Sequence, residues 1–159
     1  MNVVQPTRVS RTYNQRLAGP PDAVFPLLCP VREADWIEGW APLLVISNSG
    51  VAEPDCVFVT SAKPTDAVWY ITRHEPQSGF VEMIRITPGI TACRLTIQVS
   101  AVADGSVAAV TYCHTSLGPE GDAFVASFTD EYYCKMMQDW ESRINHYLLC
   151  GSMLRSSGE

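Results

Sequence analysis

DAFVASFTDEYYCKMMQDWESRINHYLLC, residues 122–150, decides how the rest of the chain must be arranged. Apolar side chains recur at Phe124, Phe128, Tyr132, Met136, Trp140, Ile144 and Leu148, and Val125, Met137 and Tyr147 widen the stripe. Side chains four apart stack on one helical face, so the spacing predicts a single amphipathic helix. About 29 residues at 1.5 Å rise would run roughly 43 Å. A helix of that length needs a long concave partner, and the segments before it alternate with period two, as strands do. A curved antiparallel sheet is the expected partner. A sheet gripping a helix leaves room for a cavity, which needs roughly 300 Å³ to hold an ordinary ligand.

Upstream, Thr7 to Leu17 alternates as a first strand, and Gly19-Pro20-Pro21-Asp22 ends it and opens a short helix through Leu28. Pro30 stops that helix, and Arg32 to Trp40 forms a second helical turn closed by Gly39. Six strands follow, near 43–48, 56–61, 67–74, 79–87, 91–102 and 107–117, separated by Gly, Pro, Asn and Asp clusters. The fold class is therefore α+β.

Turn chemistry sets the register of the last strands. Asp104-Gly105 reads as a two-residue hairpin turn, which places Val99 opposite Val110, Ile97 opposite Tyr112 and Leu95 opposite His114. A three-residue loop at Pro88-Gly89-Ile90 places Met83 opposite Leu95, Val81 opposite Ile97 and Arg85 opposite Cys93. That face is the more apolar and should look inward, with Arg85, Tyr112 and His114 as its polar members. The opposite face collects Glu82, Arg94, Thr96 and Gln98, with Glu82 and Arg94 placed for a surface ion pair. For strand 67–74 both faces stay open: either Trp69 and Ile71 or Val68 and Tyr70 point inward.

Seventeen acids against eleven bases give a formal charge of −6, with the bases scattered, which argues against nucleic acid or an anionic membrane as partner. The N-terminus MNVVQPTRVSRTYNQ has no apolar core of a leader, and no apolar run approaches the roughly 20 residues a bilayer requires. Cysteines 29, 56, 93, 113, 134 and 150 lack metal or redox spacing and read as reduced thiols, so a cytoplasmic location is expected. Cys113 and His114 point to opposite faces of their strand, and no metal site or cofactor is expected. Nucleophile-elbow, phosphate-loop and dinucleotide motifs are missing as well. The whole chain, 1–159, reads as one domain with an ordered core of about 6–151 and a disordered tail from Ser156.

The segment VFPLLCPVREADWIEGW, residues 24–40, together with this order of elements, resembles the START-like superfamily, the helix-grip proteins that include the birch-pollen allergen type and the polyketide cyclase/dehydrase-like group. The resemblance covers essentially the full chain. It implies a seven-stranded curved antiparallel sheet around a long C-terminal helix, with two short helices between strands 1 and 2 and a pocket for a small apolar or amphipathic molecule. It also implies that Trp36 and Trp40, which flank Glu38, lie near a cavity mouth, one of them as core packing. Bounded by Pro30 and Pro42 and with little length to stabilise itself, the segment is expected to act as a mobile lid. The expected cavity residues are then Trp36, Trp40, Met83, Arg85, Leu95, Ile97, Val110, Tyr112, His114, Phe128 and Tyr132.

Arg85 supplies a fixed fork of donors and His114 a group that titrates near neutrality, so with Tyr112 they suit a ligand's carboxylate, phenol or carbonyl. Three function classes follow. The leading one is binding or transport of a small hydrophobic or aromatic ligand without transforming it. The second is a cyclase/dehydratase-like enzyme using the same polar groups for proton transfer or enolate stabilisation. The third is a protein-interaction module, whose cue would be an exposed apolar patch, and the polar outer face argues against it. A homodimer is left open.

Overall fold

The computed structural model describes residues 1–156. Most of the expected disordered tail lies outside that range, while the Ser156 N–H donates to Glu38 Oε2 at 2.9 Å. Seven strands form one antiparallel sheet: β1 (Arg8–Leu17), β2 (Leu44–Ile46), β3 (Val57–Thr60), β4 (Ala67–Glu75), β5 (Phe80–Thr87), β6 (Thr91–Val102) and β7 (Gly105–Ser116), in the order β1-β7-β6-β5-β4-β3-β2. A short helix α1 (Pro21–Val24) runs on as a 3-10 turn, Phe25–Leu27, and a second 3-10 turn covers Arg32–Asp35. The C-terminal part is α2 (Pro119–Ser127) and α3 (Asp130–Cys150).

The single long helix expected from the i+4 ladder is thus two helices. Phe128 leaves helical geometry at φ −81°, ψ 64°, and Thr129 caps α3 by accepting the Tyr132 N–H on its side chain. Asp130 and Glu131 follow in the first turn, where carboxylates favour a helix N-terminus. The break rephases the buried stripe to Tyr133, Met137 and Ile144, and leaves Tyr132 exposed. Helix α3 lies along β1, held by Gln15 donating to the Met137 carbonyl (3.1 Å) and Asn145 bridging the backbones of Arg16 and Ala18.

The β5–β6 hairpin has the register read from Pro88-Gly89-Ile90, with Met83 facing Leu95 and Arg85 facing Cys93. The β6–β7 register differs by two residues: Ile97 faces Val110, Leu95 faces Tyr112 and Cys93 faces His114. The turn residues are Ala103-Asp104, and Gly105 starts β7 at φ +151°, where a Cβ would sit 2.1 Å from the Leu17 carbonyl oxygen. Gly105 therefore serves a close crossing of β1's end instead of the turn. Because side chains alternate with period two, a two-residue shift leaves the same residues inward.

A bulge in β4 between Ile71 and Arg73 changes the register against β5. Trp69 and Ile71 are buried, and Val68 and Tyr70 are exposed, which resolves the two faces left open by the sequence. Past the bulge His74 turns toward the core and packs on Phe25 at 5.1 Å between ring centroids, so it is half-buried and its pKa is lowered by desolvation. Glu82 forms no ion pair with Arg94; its Oε1 accepts the Thr72 hydroxyl at 2.8 Å.

The outer face is not uniformly polar. Leu44, Val59, Val68 and Ile86 stand side by side across β2–β5, and Ile46, Val57, Tyr70 and Ile84 form a second row beside them. Leu44 is 50% exposed and Ile46 57%, so this half of the sheet presents a continuous apolar surface.

Candidate functional site

Between the inner face of the sheet and α2–α3 lies a cavity of about 240 Å³, somewhat short of the expected 300 Å³. Aromatic side chains account for the small size: Phe58, Trp69, Phe124, Phe128, Trp40 and Trp140 crowd into it. Its deep wall is the buried set Met83, Leu95, Tyr112, His114 and Phe128, while partly exposed Trp40, Phe124, Met136, Trp140 and Glu33 and exposed Tyr132 stand nearer the solvent. A depression of about 270 Å³ on the outer face, bordered by Arg8, Ile84, Arg94 and Thr115, is shallower and more open, and no orphaned polar atom points into it.

Eight of the eleven residues named from the sequence line the cavity: Trp40, Met83, Arg85, Leu95, Tyr112, His114, Phe128 and Tyr132. Ile97 and Val110 are buried but face each other farther along β6 and β7, where the Val110 carbonyl accepts the Tyr133 hydroxyl. Trp36 is fully buried in the core, its indole N–H on the Leu27 carbonyl at 3.0 Å and its ring edge-on to Trp140. Trp40 donates to the Pro30 carbonyl at 2.7 Å. Two indoles pinned to the preceding segment anchor this stretch, which removes the grounds for a freely swinging lid.

The polar groups converge at one end. The Arg85 guanidinium lies over the Trp69 ring, 5.0 Å from its centroid, and its buried Nε finds no partner in the protein. His114 is 1% exposed, wedged between Phe124 and Phe128 at 4.9 and 4.5 Å and stacked on Tyr112 at 5.7 Å. Neither of its ring nitrogens has a protein partner. Orphaned buried polar atoms cost about 1–3 kcal/mol each, so three around one cavity call for a functional explanation.

Desolvation, followed by the nearby Arg85 charge, lowers the His114 pKa to about 4, so the imidazole is neutral at pH 7. Burial pushes the Tyr112 phenol upward, opposed by the Arg85 charge, and it too stays neutral.

Glu33 is the residue that sequence reasoning missed. It sits in the Arg32–Asp35 turn, where Arg32 is committed to Asp35 at 2.6 Å, leaving the Glu33 carboxyl without a cation. Burial alone raises its pKa to about 8, so most of it is protonated at neutral pH. Phe58, stacked on Trp69 at 5.2 Å, was also missed as a wall residue, and Trp69 was left open, because the inward face of β4 depends on strand pairing. No sequence signal marks Glu33; its desolvation comes from elements distant in the chain.

The arrangement can hold one flat, mostly apolar molecule and offer its polar end a guanidinium donor, a neutral imidazole, a phenol and a protonated carboxyl. Among the described residues no group of three or more His, Cys, Asp or Glu side chains is gathered as a metal site, and no helix is long and apolar enough to cross a membrane.

No family model matches the chain, and no curated protein matches it in sequence. Solved structures do match in shape. Norcoclaurine synthase from Thalictrum flavum, in complex with dopamine and hydroxybenzaldehyde, is similar at a TM-score of 0.65 and 14% identity over 91% of this chain and 88% of that one. The chain has the helix-grip fold. Other helix-grip structures similar to it are Ara h 8.0201, at a TM-score of 0.59 and 15% identity over 89% of this chain and 98% of that one, and DynU16, a putative protein in the dynemicin biosynthetic locus, at a TM-score of 0.54 and 12% identity over 92% of this chain and 48% of that one. At these identities the likeness extends to the helix-grip architecture alone.

Proposed function

We propose that this protein binds one small hydrophobic or aromatic molecule in the cavity between sheet and helices, and holds it without transforming it. The observation that carries the reading is the aromatic-walled 240 Å³ cavity with three orphaned polar atoms at one end, the pattern of an apolar pocket with a few convergent polar groups. Norcoclaurine synthase, a protein of the same fold, is solved with two small aromatics, which supports a ligand of similar size here. Six free thiols, three of them buried, favour a reducing compartment, the cytoplasm, as the place of action. Native mass spectrometry of freshly purified protein tests the reading. A co-purified molecule of roughly one or two rings, released unchanged on denaturation, is expected; binding of no small aromatic from a panel, with aromatic side chains packed solid in solution, would sink it.

Glu33 and His114 favour a second reading. Their environments push the two pKa values in opposite directions, to about 8 and about 4, as in sites that hold an acid and a base together at neutral pH. In an enzyme of the cyclase or dehydratase kind, protonated Glu33 would donate and neutral His114 accept. A bound molecule whose mass or spectrum changes during incubation, in the wild type but not in His114→Leu, would establish it over simple carriage.

The outer face favours a second copy of this chain as partner. The two apolar rows of β2–β5 hold eight side chains, five of them exposed, the kind of contiguous patch that marks an interface. A twofold axis through them would pair apolar rows with each other. Sedimentation over a hundredfold concentration range should detect a dimer that Val68→Lys abolishes; a monomer throughout would exclude it.

A further inference from the structure

Resting on the binding reading above, we infer that the molecule this cavity takes is a small aromatic monocarboxylate, its carboxylate on the Arg85 guanidinium and its ring among the surrounding aromatic side chains. Only two wall residues are charged types, Arg85 and Glu33, and they differ in how they bear burial. A carboxyl can shed its charge by taking a proton, and Glu33 has no cation to keep it ionised. An arginine cannot discharge within the range where proteins survive. Among the described residues no carboxylate comes within ion-pair distance of Arg85, and its Nε is buried without a partner.

At neutral pH the wall therefore carries one fixed positive charge, a neutral imidazole and a largely protonated acid. The ligand that completes it brings one negative charge and several acceptor lone pairs. A carboxylate meets both needs, because its planar pair of oxygens matches the guanidinium fork and can accept from the Glu33 carboxyl or the His114 ring. An ammonium ligand would face Arg85's charge with no ionised partner. A neutral alcohol or aldehyde would leave that charge without a counter-ion among aromatic side chains.

The body of the ligand follows from the remaining wall. Trp69 backs the guanidinium, and Phe124, Phe128, Trp40 and Trp140 supply ring faces and edges. Rings pack best on rings, and about 240 Å³ limits the guest to one ring, or a fused pair, with a short side chain.

Three probes of one skeleton test the class: 3-phenylpropanoate, 3-phenylpropan-1-ol and 3-phenylpropylamine, titrated calorimetrically into the full chain at pH 7. The acid is expected to bind at least about tenfold tighter than the alcohol, and the amine weakest. Arg85→Gln should bring the acid within about twofold of the alcohol. Alcohol or amine binding as tightly as the acid overturns the carboxylate class but leaves the cavity reading standing, and so does an acid preference that survives in Arg85→Gln. Failure of all three to bind overturns both. The ranking of the three probes on the wild-type protein discriminates between these outcomes even if the variant does not fold.

Discussion

The Arg85 guanidinium lies 5.0 Å above the centre of the Trp69 ring, and the pairing joins β5, whose inward face the turn residues already set, to β4, whose facing only the sheet settled. The indole in turn donates to Thr60 Oγ1 at 2.9 Å, so the platform under the arginine is fixed. Stacking satisfies the flat face of the guanidinium but none of its N–H donors. Arg85→Met keeps most of the side-chain volume and removes an orphaned donor, so its stability in urea should stay within about 1 kcal/mol of wild type. A loss of more than about 3 kcal/mol without ligand would make Arg85 a structural residue and remove it from the site.

His114 makes stability depend on pH on the acid side. Its pKa falls from 6.5 to about 4 on folding, so the native state binds fewer protons than the unfolded state between those values. The stabilisation is present above pH 6.5 and lost as pH falls toward 4, on the order of 3 kcal/mol in total. His114→Leu should flatten that limb of the stability–pH curve. Parallel curves for variant and wild type from pH 7 to 4 would show that the imidazole is solvated.

Glu33 acts with the opposite sign. Its pKa rises from 4.5 to about 8, so its contribution is full below pH 4.5 and is lost as pH climbs through 8. Glu33→Gln, which mimics the protonated acid, should match wild type at pH 5. At pH 9 it should be more stable by about 1–2 kcal/mol, less than a sealed carboxyl would give, because Glu33 keeps some contact with solvent. An advantage that is equal at both pH values would contradict the raised pKa.

Thr129→Ala removes the cap that separates α3 from α2. A loss of about 1 kcal/mol is expected from thermal or urea unfolding, with retained binding of an apolar probe. A gain in stability with increased helical signal would mean that the two helices prefer to fuse, as the bare i+4 pattern suggests.

The thiols should react in order of burial. Cys150 is exposed, Cys113 and Cys134 are intermediate, and Cys29, Cys56 and Cys93 are buried, with desolvation raising the Cys93 pKa to about 11. Titration of native protein should show Cys150 first and the buried three only on unfolding, with six thiols in denatured, unreduced protein. Four or fewer would mean that disulfides form.

Local periodicity determined most of the architecture, because strand alternation and turn residues act over a few neighbours. The Pro88-Gly89-Ile90 loop set the β5–β6 register, and with it the inward face holding Met83 and Arg85. Even with the Asp104-Gly105 turn displaced by one position, Tyr112 and His114 stay inward, since a register shift of two residues preserves the face. What the tertiary structure decided depends on contacts far apart in the chain. The bulge in β4 aimed Trp69 inward, the cap at Thr129 rotated Tyr133 into the core in place of Tyr132, and packing on Leu27 and Trp140 drew Trp36 out of reach of the cavity. Glu33 is the clearest case. Its side chain is ordinary in sequence, and its protonation follows from losing water to walls contributed by remote strands and helices, a desolvation that no local pattern encodes.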